Sequence, residues 1–160
     1  NTCGDGHSDQ LIEYVRSREL RTVAAFVNFG SEPSTAKFLH WATAQGVRVL
    51  LPRIMNDTEL DWHEYNADQL GVGSLGISEP SGRSVALSEA QVIFVPAVAA
   101  GLDGSRLGRG RGFYDRALQS ISSPLIALVH DNEVFDTVPH ESHDVPVTAI
   151  ISCSKTVELN

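Results

Sequence analysis

The chain reads as an α/β protein of three layers, a mostly parallel sheet with helices on both faces, Rossmann-like. Three observations predict this. Short, largely apolar runs recur along the chain at Val23–Phe29, Val47–Leu51, Val92–Val95, Leu125–Val129 and Val147–Ile151. Runs of this kind suit strands buried inside a sheet that is covered on both sides. Between several of them lie segments whose apolar residues fall at helical spacing, and that alternation of strand and helix builds a parallel sheet. Ligands in such sheets sit off the carboxyl ends of the strands.

The elements follow in order. Residues 1–10 are small and polar and are expected to fray, with a helix over roughly 9–20 because Leu11, Ile12 and Val15 can share one side. Val23–Phe29 is a core strand. Pro33 suits a first helical turn, Ala36, Leu39 and Ala42 or Thr43 form one face, and Gly46 is placed to cap the end. Val47–Leu51 is a strand that Pro52 should close. Leu60–Tyr65 reads as the next strand. Ser122-Ser123-Pro124 breaks the chain before the strand Leu125–Val129, Glu133–Val138 is turn-like, and Val147–Ile151 is the last strand.

Length and composition fit one small domain spanning 1–160. With 42% hydrophobic and 20% charged residues the composition is ordinary for a globular protein. A net charge of −8 argues against nonspecific binding to nucleic acid or an anionic membrane. No apolar run approaches the roughly 18 residues of a transmembrane helix. The stretch NTCGDGHSDQ is no signal peptide. Cys3 and Cys153 make neither a disulfide framework nor a metal site, so both are expected to be reduced thiols in the cytoplasm.

The most informative stretch is Val92–Leu118, VIFVPAVAAGLDGSRLGRGRGFYDRAL. A short strand ends at Pro96, a loop follows on Gly101, Gly104, Gly108, Gly110 and Gly112, and a helical pattern begins at Phe113. Strand, glycine-rich loop and helix start can cradle a phosphate, because glycines let backbone N–H groups approach it. From Arg106 to Arg116 there are four arginines and one aspartate, a local charge of +3 in an acidic chain. Arginines on alternate residues suit a polyphosphate, and Asp115 adds a hard oxygen ligand of the kind Mg²⁺ takes beside a nucleotide. Solvated arginines on a turn-rich loop would give the same pattern. The spacing matches neither the Walker loop nor G-x-G-x-x-G.

RLGRGRGFYDR resembles the signature RLG-x-G-x-G-[YF]-YDR of the 5-formyltetrahydrofolate cyclo-ligases, also called methenyltetrahydrofolate synthetases. The resemblance extends over about Val23 to Ser152, leaving 1–22 as an atypical N-terminal segment. It includes a Glu before a Thr-headed helix (Glu32), a Gly-Ile-x-Glu-Pro turn (Leu75–Gly82) and a His-Asp before the last strand (His143-Asp144). The family's N-terminal helix with a lysine and an arginine for the ATP phosphates has no match, and Arg16, Arg18 and Arg21 do not take that role. The family's VPG is VPA at Val95-Pro96-Ala97, and its Asp near Gly101 is also a point of departure.

The resemblance implies ATP- and Mg²⁺-dependent cyclisation of 5-formyltetrahydrofolate to 5,10-methenyltetrahydrofolate by phosphorylation of the formyl oxygen. It implies a nucleotide site on Arg106, Leu107, Gly108, Arg109, Gly110, Arg111, Gly112, Phe113 and Tyr114, with Arg111 and Tyr114 at the reacting centre. It assigns the folate to Glu32, with Val27, Phe29 and Tyr114 beside it, and the metal to Asp115 and Asp144; Trp62 joins the folate set by residue type, as a ring that could stack on the pterin. By pattern alone Glu32 could equally be an acid favoured at a helix start, and Trp62 partial core. His140, His143 and Asp144 lack the third neutral ligand that zinc would need. The expected partners are a reduced folate and ATP, with no nucleic acid and no membrane, and the expected state is a monomer. The competing reading is a relative that binds folate or nucleotide without turnover. A sugar-phosphate or CoA-handling protein of similar topology would not need Asp115, Asp144 and Glu32 together.

Overall fold

The computed structural model describes residues 3–56, 59–66, 70–72, 78–80, 84–110 and 112–159. In chain order its elements are α1 (Gly6–Ser17), β1 (Thr22–Ala24), α2 (Ala36–Gln45), β2 (Arg48–Ile54), β3 (Leu60–Glu64), β4 (Leu70–Val72), β5 (Ser78–Pro80), β6 (Ile93–Pro96), β7 (Ala99–Gly101), β8 (Arg106–Leu107), α3 (Phe113–Leu118), β9 (Leu125–Leu128), β10 (Val134–Phe135), β11 (Ala149–Ile151) and β12 (Thr156–Glu158).

Seven strands form one sheet in the order β12-β11-β9-β6-β1-β2-β3. The five inner strands run parallel, and β3 and β12 close the two edges antiparallel. Strand alternation sends Val23, Val49, Phe94, Ile126, Leu128, Ala149 and Ile151 to one face, where α1 and α2 cover them with Leu11, Val15, Phe38 and Ala42. Ala24, Leu50, Ile93, Val95, Leu125, Ala127 and Ile150 face the other way, onto Trp62, Leu87, Ala100 and Leu118 of α3. The three-layer α/β expectation holds, with the second layer thin and built as much from β-hairpin and loop as from helix.

Several local expectations need correction. The helix expected at 9–20 spans Gly6–Ser17, so part of the segment expected to fray is helical. It stops early because Glu19 takes a left-handed backbone (φ 53) and Leu20 N donates back to Val15 O at 3.1 Å. Pro33 lies outside α2, whose third N–H, on Phe38, is taken by the Ser8 hydroxyl of α1 at 3.1 Å. Gly46 caps α2 with φ 74, as expected. Pro52 does not close β2: the parallel neighbour β1 pairs only as far as Leu50, and beyond it that side of β2 is an edge where a missing N–H costs nothing. The glycine-rich loop is partly a hairpin, β7 with β8, joined by β10. Of the turn at Leu75–Gly82, only 78–80 lies within the described residues.

Cys3 and Cys153 are bonded as a disulfide with Cα atoms 6.0 Å apart, which corrects the expectation of reduced thiols. The two lie 150 positions apart, and only the docking of the α1 N-terminus beside the end of β11 brings them together. Gly6 makes the approach possible, since a Cβ there would stand 2.6 and 2.7 Å from the two sulfurs. The closed loop is nearly the whole chain. Reduction, or Cys153→Ser, is expected to lower the unfolding free energy by about 2–4 kcal/mol, the usual range for a disulfide, read from urea unfolding with a steeper slope because the unfolded chain is released from its cross-link. Among the described residues no helix is long and apolar enough to cross a membrane.

Candidate active site

The carboxyl ends of β1, β2 and β6 open onto a cleft of about 620 Å³. One wall is the chain leaving β1, with Phe26, Val27, Phe29 and Glu32; the end of β2 and the start of β3 add Leu51, Pro52, Ile54 and Leu60. The opposite side is the run Arg106–Gly110 with Gly112–Asp115, and the segment Pro139–Asp144 completes the rim. Most of the site residues expected from sequence thus face one space. Arg111 lies outside the described residues.

Arg106 is 7% exposed, unusual for an arginine, and its guanidinium is held from two sides. Nη1 donates to Pro96 O at 3.2 Å and Nη2 to Asp115 Oδ1 at 3.1 Å. The strand β6 therefore positions the first residue of the RLG motif, which in turn orients the aspartate of the YD pair. Gly108 folds over this guanidinium: a Cβ there would lie 3.1 Å from Nη1. Arg106 is thus a structural cation under the loop rather than an arm that reaches outward.

Arg109 is the exposed one. Its Nε donates to Glu32 Oε2 at 3.2 Å, joining the two walls, with side-chain exposures of 54% for Arg109 and 10% for Glu32. Glu32 Oε1 accepts from Phe29 N at 2.7 Å, so the carboxylate is fixed by its own turn. That turn is held from below. His130, which sequence alone leaves isolated, donates from Nε2 to Ser31 O at 2.6 Å. Its ring packs edge-on against the buried His7 at 5.3 Å.

Tyr114 sits between these groups. Burial pushes its phenol well above the usual range; the charge of Glu32 adds to this and Arg106 opposes it. At neutral pH it is a protonated hydrogen-bond donor. Trp62 does not line the cleft. It is 4% exposed and packs edge-on under Tyr114 at 6.2 Å, so the aromatic expected to stack on substrate instead supports the one beside it. Phe29, 44% exposed at the cleft wall, is the aromatic surface on offer. Phe113 lines the cleft but is largely buried.

Asp144 is oriented by a tight turn: Glu141 N donates to its Oδ2 at 2.8 Å, and His143 Nε2 is 3.6 Å from Oδ1. Asp103, two residues past Gly101, binds the backbone and hydroxyl of Ser105, and these bonds hold its carboxyl down to about 2. Ser105 Oγ also accepts from Val138 N at 3.0 Å. This knot ties the arginine hairpin to the chain that runs on to Asp144. Sequence reading missed it, and missed the apolar wall of Phe26, Leu51, Ile54 and Leu60. Their apolar runs marked strands; that their ends face a ligand depends on which strands are neighbours. Among the described residues no three His, Cys, Asp or Glu side chains are grouped so that they could hold a metal ion.

Residues 5–153 match the model of the 5-formyltetrahydrofolate cyclo-ligase family, a span that begins well before Val23. The chain is 40% identical to the 5-formyltetrahydrofolate cyclo-ligase of Mycolicibacterium smegmatis, covering 92% of this chain and 82% of that one. It is 34% identical to the enzyme of the same name from Escherichia coli K12, covering 97% and 90%. The fold matches the solved structure of the Aquifex aeolicus 5,10-methenyltetrahydrofolate synthetase with a TM-score of 0.82 and 26% identity, over 96% of this chain and 81% of that one.

Proposed function

The chain belongs to the 5-formyltetrahydrofolate cyclo-ligase family, and from that premise we propose that it closes 5-formyltetrahydrofolate to 5,10-methenyltetrahydrofolate, turning ATP into ADP and phosphate. The observation that best supports this is the meeting of Glu32 with the Arg106–Asp115 loop across one cleft, joined by the Arg109–Glu32 pair. An acid for the folate ring and a basic, glycine-rich loop for phosphates are what the two co-substrates require.

The chemistry is phosphoryl transfer followed by ring closure. A formamide oxygen is a poor leaving group. Once it carries the γ-phosphoryl group, N10 attacks the formyl carbon, the C–O bond breaks with departure of phosphate, and N10 loses its proton. Such transfers depend on positioning and charge neutralisation more than on a protein nucleophile. Glu32 accepts hydrogen bonds from the 2-amino and ring N–H edge of the pterin, whose faces meet Phe29, Val27 and the apolar wall. Arg109, Arg111 and the loop amides hold phosphate oxygens. Tyr114 donates a hydrogen bond at the reacting centre. Asp115 and Asp144 are hard oxygen donors with capacity left over: among the described residues Asp115 Oδ2 has no partner. They fit Mg²⁺, which is usually held by one or two carboxylates plus phosphate and water. Bound there, the ion would neutralise charge on the phosphates.

We further read the chain as one domain, a monomer acting on small molecules in the cytoplasm. The Cys3–Cys153 bond pulls against that compartment, where thiols are kept reduced. The test of function is the rise in methenyltetrahydrofolate absorbance on mixing protein, Mg·ATP and 5-formyltetrahydrofolate. A rise that requires ATP supports the reading; none, with both ligands bound, would leave a binding protein on this fold. In the same assay Glu32→Gln is expected to raise the KM for the folate by about 10- to 100-fold, the worth of one charge-assisted hydrogen bond, with kcat changed less than about threefold. A fall in kcat at constant KM would remove Glu32 from the folate subsite.

A further inference from the structure

We propose that Arg109 is a latch on the folate subsite: it competes with the pterin for Glu32, and the nucleotide phosphates compete with Glu32 for Arg109, so that binding of either substrate favours binding of the other. This rests on the function proposed above and assigns to the site a coupling that the reaction itself does not require.

The Glu32 carboxylate has two oxygens and both are engaged, Oε1 by Phe29 N and Oε2 by Arg109 Nε. The first bond belongs to the turn that shapes the subsite. The second comes from a residue 77 positions away on the opposite wall. While Arg109 lies on Oε2, a ligand edge with two N–H donors has to share that oxygen with a guanidinium from the opposite wall. Arg109 cannot leave without a replacement, since a largely buried carboxylate stripped of its partner is costly. The subsite therefore favours a ligand that brings its own donors.

Arg109 is suited to leave. More than half of its side chain is exposed, and among the described residues Glu32 is its only polar partner. Glycines flank it on both sides. At Gly110 the backbone is left-handed (φ 90) and a Cβ would meet nothing within 4 Å, so the loop is uncrowded there. A triphosphate is a stronger partner for a guanidinium than a single carboxylate. When phosphate oxygens take Arg109, Glu32 is released and must find donors, which the pterin supplies. When the pterin takes Glu32, Arg109 is released for phosphate. By linkage the two effects are equal.

The test is calorimetric titration of the full chain with 5-formyltetrahydrofolate, with and without saturating Mg²⁺ and adenosine 5′-(β,γ-methylene)triphosphate. The wild type is expected to bind the folate about fivefold tighter with the analogue present, the low end of measured couplings. In Arg109→Gln, at raised analogue concentration, the folate alone should bind at least as tightly as to the wild type, and the analogue should change its affinity by less than about twofold. Arg109→Lys keeps the charge and is expected to keep the coupling. Full coupling in Arg109→Gln, or its loss in Arg109→Lys as well, would overturn the latch. Both ligands binding the wild type without coupling would overturn it and leave the function standing. A wild type that binds no 5-formyltetrahydrofolate would sink the function, and the latch with it.

Discussion

Asp115→Asn is expected to cut kcat by about three orders of magnitude, a loss near 4 kcal/mol of transition-state stabilisation. The substitution is nearly isosteric. Asparagine keeps an oxygen for the 3.1 Å bond from Arg106 Nη2, so the loop geometry should survive. What it removes is a charge, and that charge acts twice. It balances Arg106, whose side chain is almost wholly enclosed, and with Asp144 it faces the cleft with ligand capacity for Mg²⁺. A modest stability loss of about 1–2 kcal/mol should accompany the kinetic one, because the buried guanidinium loses its counter-charge but keeps its hydrogen bonds. Initial rates at saturating substrates, with circular dichroism as the control on folding, separate the two. Activity within tenfold of wild type would take Asp115 out of the phosphoryl-transfer machinery.

The largest stability effect is expected at Phe94. It lies on β6, the central strand of the seven, and is fully buried. Its ring meets Tyr14 of α1 edge-on at 5.8 Å and Phe38 of α2 at 6.0 Å, so one side chain pins both helices to the sheet. Truncation to alanine removes that burial, leaves a cavity and loses two aromatic pairs, at a cost of about 3–5 kcal/mol. For a chain of this size that lowers the melting temperature by roughly 10 °C. Thermal unfolding followed by circular dichroism is the measurement. A fall of only a few degrees would mean that the helices close over the gap.

The parts of the site that could be read in advance share one property: they are local. Val92–Val95, the glycines and the YD pair lie within one short stretch of chain. Glu32 and Asp144 could be picked out because the resemblance marks them, and both face the cleft. Trp62 was assigned by residue type, and residue type cannot say whether an indole faces ligand or core; the register of β3 on β2 turns it under Tyr114. The hairpin β7–β8 went unread for a related reason. Ala99–Gly101 and Arg106–Leu107 are too short and too rich in glycine and charge to signal strands, and they hold as strands because β10 pairs alongside.

The sequence by itself determined the α/β class, the order of the main strands and helices, and the residue types available for phosphate, metal and folate. Those follow from periodicity, cap residues and charge within a few positions of one another, which act before the chain has any long-range contact. Tertiary structure alone decided the pairings. It set Arg109 against Glu32 across 77 residues, buried Arg106 between Pro96 and Asp115, and joined Cys3 to Cys153 across 150. Each depends on which strands lie side by side and which loops leave the same end of the sheet. That is settled by the burial of the two apolar faces as a whole, and no single segment of the chain carries it.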